Sequence, residues 1–171
     1  MTNSLWEKAF SSEKKPMNDF VTGGCLCGFV RYEYRGELGL ANYCHCNDCR
    51  KTTGSAFNIG VKVHAPNLRV ISGYVRSYTK TTGSGDTIAR EFCPECGSPL
   101  FTRAFAKPEF VWIKAGSLDD PTLVKPTYQI WRDRAVLWAY IDAELPSFPG
   151  NRTVVETKDT QPTVLGDKQQ Q

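Results

Sequence analysis

The chain has 171 residues, 40% of them hydrophobic, which is enough for one domain with a core and offers no obvious second one. Its 21 basic and 18 acidic residues leave a formal charge of +3, spread without a run of Lys and Arg, so nucleic-acid binding has little support. No apolar stretch approaches the roughly 20 residues of a membrane span, and the N-terminus lacks a basic segment leading into an apolar one, so the expectation is a soluble cytoplasmic protein without a signal peptide.

Residues 1–20 are polar and mixed around Ser11-Ser12-Glu13-Lys14-Lys15-Pro16 and show no period, which predicts a loose N-terminal arm. Residues 21–148 then carry short β-rich runs separated by Gly, Pro and Asn, at 29–34, 58–63, 68–71, 87–92 and 110–115. Most alternate side-chain character with period two. No segment carries a long helical stripe, and the helical expectations are short turns at 46–53 and 117–120. From residue 149 the pattern fades into a polar, Gln-rich C-terminal tail that runs to 171. The fold class is therefore mainly β, a single domain with short helical turns.

Seven cysteines stand in three tight groups: Cys25 and Cys27, then Cys44, Cys46 and Cys49, then Cys93 and Cys96. Thiols stay reduced inside the cell, so clustered cysteines there are metal ligands more often than disulfides. Residues i and i+2 of a strand share a face, so Cys25 and Cys27 can present two sulfurs to one ion, with Gly23-Gly24 and Gly28 permitting a tight approach. Cys93-Pro94-Glu95-Cys96-Gly97 reads as a zinc knuckle in which Gly97 takes a positive φ. These four sulfurs make a closed tetrahedral set, and the competing reading is a pair that is redox-active or merely buried. The middle trio offers only three sulfurs, which leaves one coordination position open. His45, Asp48, a remote residue or a substrate thiol are the alternatives for that position, although on a strand His45 points away from its neighbours and reads as a hydrogen-bonded structural histidine.

The ordered set Gly24-Cys25-Leu26-Cys27-Gly28, Cys44-His45-Cys46-x-x-Cys49-Arg50-Lys51-x-x-Gly54-Ser55-Ala56-Phe57, Phe92-Cys93-x-x-Cys96-Gly97-Ser98 and Ala115-Gly116-Ser117-Leu118-Asp119-Asp120 resembles the glutathione-dependent formaldehyde-activating enzyme family, which shares its domain with centromere protein V. Gln129-Ile130-Trp131 and Arg134 to Trp138 are similar to its C-terminal block, less specifically. The resemblance implies a zinc-bound, β-tent-like fold with two zinc ions per chain. It implies a structural zinc on Cys25, Cys27, Cys93 and Cys96, and a catalytic zinc on Cys44, Cys46 and Cys49. It further implies a carbon–sulfur lyase in which glutathione, the co-substrate, adds to formaldehyde to give S-hydroxymethylglutathione.

A three-thiolate zinc suits that chemistry, because coordination deprotonates a thiol whose ordinary pKa is near 8.5. The carbonyl oxygen needs an acid or base, for which His45, His64, Tyr43 and Asp48 are unassigned candidates. Glutathione's carboxylates call for cationic donors, and Arg50, Lys51, Arg103, Arg132 and Arg134 are available, each read first as a solvated surface residue. Phe57, Trp112, Trp131 and Trp138 read as packing before they read as pocket walls. Gly116 to Asp120 reads as a turn or a short capped helix with no assigned role. The partners expected are a small thiol and a carbonyl compound. The alternatives are a different carbonyl or conjugated metabolite, or a noncatalytic zinc module.

Overall fold

The period-two runs assemble into two sheets in a computed structural model that describes residues 20–141 and 143–152. The expected arm through residue 19 and the expected tail from residue 153 lie outside the described residues. The small sheet has the order β1-β2-β5 and is antiparallel, built from β1 (Phe20–Gly24), β2 (Arg31–Arg35) and β5 (Leu68–Ser72). The large sheet has seven strands: β3 (Ala41–Cys44), β4 (Asn58–His64), β6 (Arg76–Thr81), β7 (Thr87–Phe92), β8 (Pro99–Ala104), β9 (Phe110–Lys114) and β10 (Pro126–Ile130). Its order is β10-β3-β4-β9-β8-β7-β6, antiparallel except for the parallel pair β10 and β3. One α-helix, α1 (Asn47–Thr53), and several 3-10 turns complete the described residues. The fold is mainly β, as the sequence pattern predicts.

Successive strand residues face opposite sides, and the two faces of the large sheet have different compositions. Val61, Val63, Val111, Ile113, Ala89 and Phe101 share one face and are buried. Tyr32 and Tyr34 of β2 are buried with them, and the Tyr32 ring meets Phe101 edge-on at 4.9 Å between centroids. Burying one such aliphatic or aromatic side chain contributes about 1.5–3 kcal/mol, so this layer holds the two sheets together. The opposite face carries Cys44, Asn58, Gly60, Lys62, Trp112, Lys114 and Arg90 at alternating positions of four strands. It is the face that bears the chemistry.

The Gly116 to Asp120 stretch acquires a structural role. Asp119 accepts from Thr22 Oγ1 at 2.7 Å and from Arg31 Nη1 at 2.9 Å, and Arg31 Nη2 pairs with its other oxygen. Ser117 Oγ and Tyr32 Oη lie 2.8 Å apart, and Leu118 bridges to Gly23. The segment therefore ties the end of β9 to the β1–β2 hairpin. Gly23 has no room for a side chain: a Cβ there would lie 2.2 Å from Tyr32 Oη and 2.4 Å from the Ser117 carbonyl. Beyond residue 148, the Gly150 carbonyl accepts from the Trp131 N–H at 3.1 Å and Asn151 Oδ1 from its indole N–H at 2.9 Å.

Candidate metal centres and the cleft

The first cysteine group forms where two turns meet. Cys25 and Cys27 lie in the turn between β1 and β2, and Cys93 and Cys96 in the turn between β7 and β8, so each sheet contributes two sulfurs. The strand placement expected for Cys25 and Cys27 is corrected here: β1 ends at Gly24, and Gly28 at φ 78° turns the chain. Convergence comes from the turn, not from strand alternation. Gly97 has φ 73° and its N–H donates to the Cys93 carbonyl at 3.0 Å, the knuckle geometry the spacing predicts. All four sulfurs lie within 4.8 Å of one another, with Cys25 and Cys27 at 3.5 Å and Cys27 and Cys93 at 3.8 Å. A zinc tetrahedron with bonds of about 2.3 Å has edges of about 3.8 Å, so the donor set and its spacing fit the ion. Outer donors orient the sulfurs. The Val30 N–H reaches Cys25 Sγ at 3.2 Å, and Ser98 Oγ lies 3.2 Å from Cys96 Sγ. That serine contact, with backbone N–H groups behind it, draws the Cys96 thiol down to about 5.

The second group gathers over six residues. Cys44 closes β3, Cys46 caps α1, and Cys49 sits in its first turn, all three sulfurs within 4.8 Å. Cys46 is extended, at φ −60° and ψ 154°, and its sulfur accepts from the Cys49 N–H at 3.3 Å. Hydrogen bonds from the thiols of Cys44 and Cys49 pull Cys46 down to about 2, while the contacts of Cys44 with Cys46 and Cys49, and its burial, push Cys44 far up. Three sulfurs this close cannot all carry charge without a cation between them, which is the electrostatic condition of a metal site. No imidazole or carboxylate among the described residues joins either group.

His45 lies just past the end of β3 instead of on the strand expected for it, but it is 2% exposed with its Nε2 3.0 Å from Gln129 Oε1, which makes it the hydrogen-bonded structural histidine the sequence suggests. Burial lowers its pKa, against the Gln129 hydrogen bond, and keeps the ring neutral. Asp48 is engaged elsewhere: Lys80 Nζ binds one carboxylate oxygen at 2.8 Å and Arg90 Nη2 the other at 3.1 Å.

The middle trio lines a cleft of about 1240 Å³ over the open face of the large sheet; the four-sulfur group does not. His64, Asp48, Arg134, Trp112 and Trp131 line it too, whereas His45, Tyr43, Arg50, Lys51, Arg103, Arg132, Phe57 and Trp138 do not. Arg103 instead binds Glu91 at 2.9 Å, Tyr43 and Phe57 stack edge-on at 5.0 Å, and Trp138 is exposed. Sequence reasoning passed over Asn42, Asn58, Lys62 and Arg90, which face the cleft, and Lys114, which is buried outside it and lines a small cavity with Thr52 of α1. Their strand alternation was the available signal, since each shares the parity of Cys44 through the register of neighbouring strands.

Two sheets clasped by a four-cysteine cluster, with a three-cysteine cluster opening onto a cleft, define a mainly β protein whose two cysteine sets can each hold zinc. Residues 20–134 match the family described as glutathione-dependent formaldehyde-activating enzyme, and the chain belongs to that family. It is also similar to a protein of Rhodobacter sphaeroides of known crystal structure, at 25% sequence identity and a TM-score of 0.47, over 74% of this chain and 98% of that one. Membership ties the chain to glutathione-dependent activation of formaldehyde in general, hence to small-molecule substrates. No helix among the described residues is long and apolar enough to cross a membrane.

Proposed function

We propose that the protein is a zinc-dependent carbon–sulfur lyase that joins glutathione to formaldehyde, or releases them from S-hydroxymethylglutathione. The observation that carries this reading is the asymmetry of the two clusters: the trio Cys44, Cys46 and Cys49 faces a cleft, and the closed set Cys25, Cys27, Cys93 and Cys96 lies outside it. Zinc held by Cys44, Cys46 and Cys49 would supply Lewis acidity that keeps a substrate thiol deprotonated at neutral pH. The chain's own groups do the rest. Lys62, Lys107 and Arg134 bring positive charge to the cleft for glutathione's carboxylates, and the Trp112 and Trp131 rings wall it. Holding both reactants there converts an encounter of two molecules into a reaction within one site.

In the forward direction the thiol loses its proton, the sulfur pair forms the C–S bond, and the carbonyl π pair moves to oxygen, which takes up a proton. Of the acid–base candidates, His64 and Asp48 line the cleft and His45 does not, but Asp48 is held by Lys80 and Arg90, and His64 stands six residues along β4 from Asn58, the partner of Cys44, about 20 Å away, so the proton donor to the carbonyl oxygen is unassigned. The reduced thiols this chemistry needs fit a cytoplasmic protein. In domain terms, residues 21–148 are the catalytic unit. A second reading, an electrophile larger than formaldehyde, is favoured by the size of the cleft, which exceeds the roughly 300–1,000 Å³ of ordinary small-molecule pockets.

The test compares wild type with Cys46→Ser for zinc per chain, saturable glutathione binding and formaldehyde consumption. Two zinc ions in wild type, with one lost together with thiol binding in the variant, are expected. Two zinc ions without thiol binding would sink the enzyme reading, and glutathione binding without formaldehyde consumption would move the assignment to the larger electrophile.

A further inference from the structure

Lys114 occupies a position that core packing does not explain. It ends β9 opposite Gly60, on the same face as Cys44, and is 6% exposed. Lysine is almost never buried without a partner, because its ammonium group loses hydration. No carboxylate among the described residues forms an ion pair with it: Asp48 is taken by Lys80 and Arg90, and Glu91 by Arg103. The side chain lines a cavity of about 360 Å³ together with Thr52 of α1, Tyr78, Arg90, Phe101 and Glu91, whose Oε1 is held by Arg103, so it lies outside the cleft that the trio lines. Burial, helped by the charge of Arg90, lowers its pKa, and the charged groups that work against this are the thiolates of Cys49, Cys44 and Cys46.

The charge balance of the middle site supplies the missing partner. Three thiolates around one divalent cation sum to −1, and a fourth thiolate makes −2. With Glu91 neutralised by Arg103, Arg90 and Lys80 bring two positive charges to this region against the carboxylate of Asp48, and a protonated Lys114 adds a third. We propose that Lys114 is the built-in countercharge of the middle cysteine site, a positioning residue that offsets the surplus negative charge of a three-thiolate metal centre and favours an anionic fourth ligand. The inference rests on reading the trio as a metal site, and extends it by assigning a residue outside the lining of the cleft.

The test uses the full chain and zinc alone. Competition with a chromophoric chelator resolves the two zinc affinities, and the four-cysteine site serves as internal standard. Lys114→Met, similar in length and without charge, should weaken one of the two zinc ions by about 10- to 100-fold and leave the other unchanged, the range typical of residues that support metal ligands from behind. Lys114→Arg should restore most of the loss, which a merely space-filling role would not. Should Lys114→Met fail to fold, Lys114→Gln gives the same reading in a polar side chain. Two wild-type zinc affinities in the uncharged variant would overturn the proposal, as expected if Lys114 were a neutral amine. A wild type that binds a single zinc would overturn the middle site itself. Failure of glutathione binding with both zinc affinities intact would strike only the proposed reaction.

Discussion

The Cys49 N–H donates to Cys46 Sγ at 3.3 Å, so one sulfur of the middle trio is also the N-cap of α1. Helix capping and metal binding thus meet in one atom and separate by substitution. Serine is a preferred N-cap, so Cys46→Ser should keep α1 and lose one zinc per chain. Cys46→Ala should lose the same zinc and a further ~1 kcal/mol of stability, the usual worth of an N-cap. Metal analysis beside urea unfolding of the two variants checks this. Equal stability of the two would mean that the sulfur does not cap the helix.

The four-sulfur group should behave differently, because its ligands come from both sheets: Cys25 and Cys27 from the β1–β2 turn, Cys93 and Cys96 from the β7–β8 turn. Binding energy at such a site is folding energy. Cys93 is fully buried, so Cys93→Ala is expected to cost at least about 3 kcal/mol and to reduce soluble yield, whereas Cys46→Ser is expected to stay soluble. Thermal unfolding of both, with and without a chelator, discriminates them. A Cys93→Ala protein with wild-type stability would remove the structural role from this site.

The strands read from sequence are those whose alternation is apolar on one side, as in Val61 and Val63 of β4 or Tyr32 and Tyr34 of β2. β6 escaped because Arg76 to Thr81 are all exposed, and what makes them a strand is pairing with β7, a contact that leaves no hydrophobic trace. β3 escaped for the opposite reason: Ala41, Asn42 and Cys44 are all buried, so the period is erased. The cysteine groups were legible because successive ligands within each sit two or three positions apart. Arg90 and Lys114 were not, since only cross-strand register puts them on the face of Cys44. The spacing of Cys25 and Cys27 predicted the right partner sulfurs through the wrong local structure, because a glycine turn and a strand both bring i and i+2 together.

Gly23 is expected to be intolerant of the smallest side chain. A Cβ at that position would stand 2.2 Å from Tyr32 Oη and 2.4 Å from the Ser117 carbonyl, and neither can withdraw, since Tyr32 is fully buried and Ser117 O is backbone. Gly23→Ala should therefore destabilise by about 3 kcal/mol, the upper part of the overpacking range. Gly60→Ala is the control: its Cβ would meet Asn58 and Trp112 at 3.4–3.6 Å, ordinary contact, and stability should change little. Similar losses in both variants, measured by chemical denaturation, would contradict the steric account.

The Arg31–Asp119 pair gives a prediction for pH. The Arg31 guanidinium, with the Thr22 hydroxyl, holds the Asp119 carboxyl below its usual range. A carboxylate whose folded pKa is depressed stabilises the fold above its unfolded value of about 3.9, and that contribution disappears as pH falls through the lower folded value. The side chains are 37% and 43% exposed, so solvent screening limits the pair to about 1 kcal/mol or less. Asp119→Asn should thus be less stable than wild type by up to about 1 kcal/mol at pH 7, with the gap closing below about pH 4. Acid also protonates the metal-binding thiolates, but it does so in both proteins, and the difference between them isolates Asp119. Denaturant titrations of the two at pH 7 and pH 3 make the comparison, and a gap of equal size at both values would show that Asp119 stabilises through hydrogen bonds that do not need its charge.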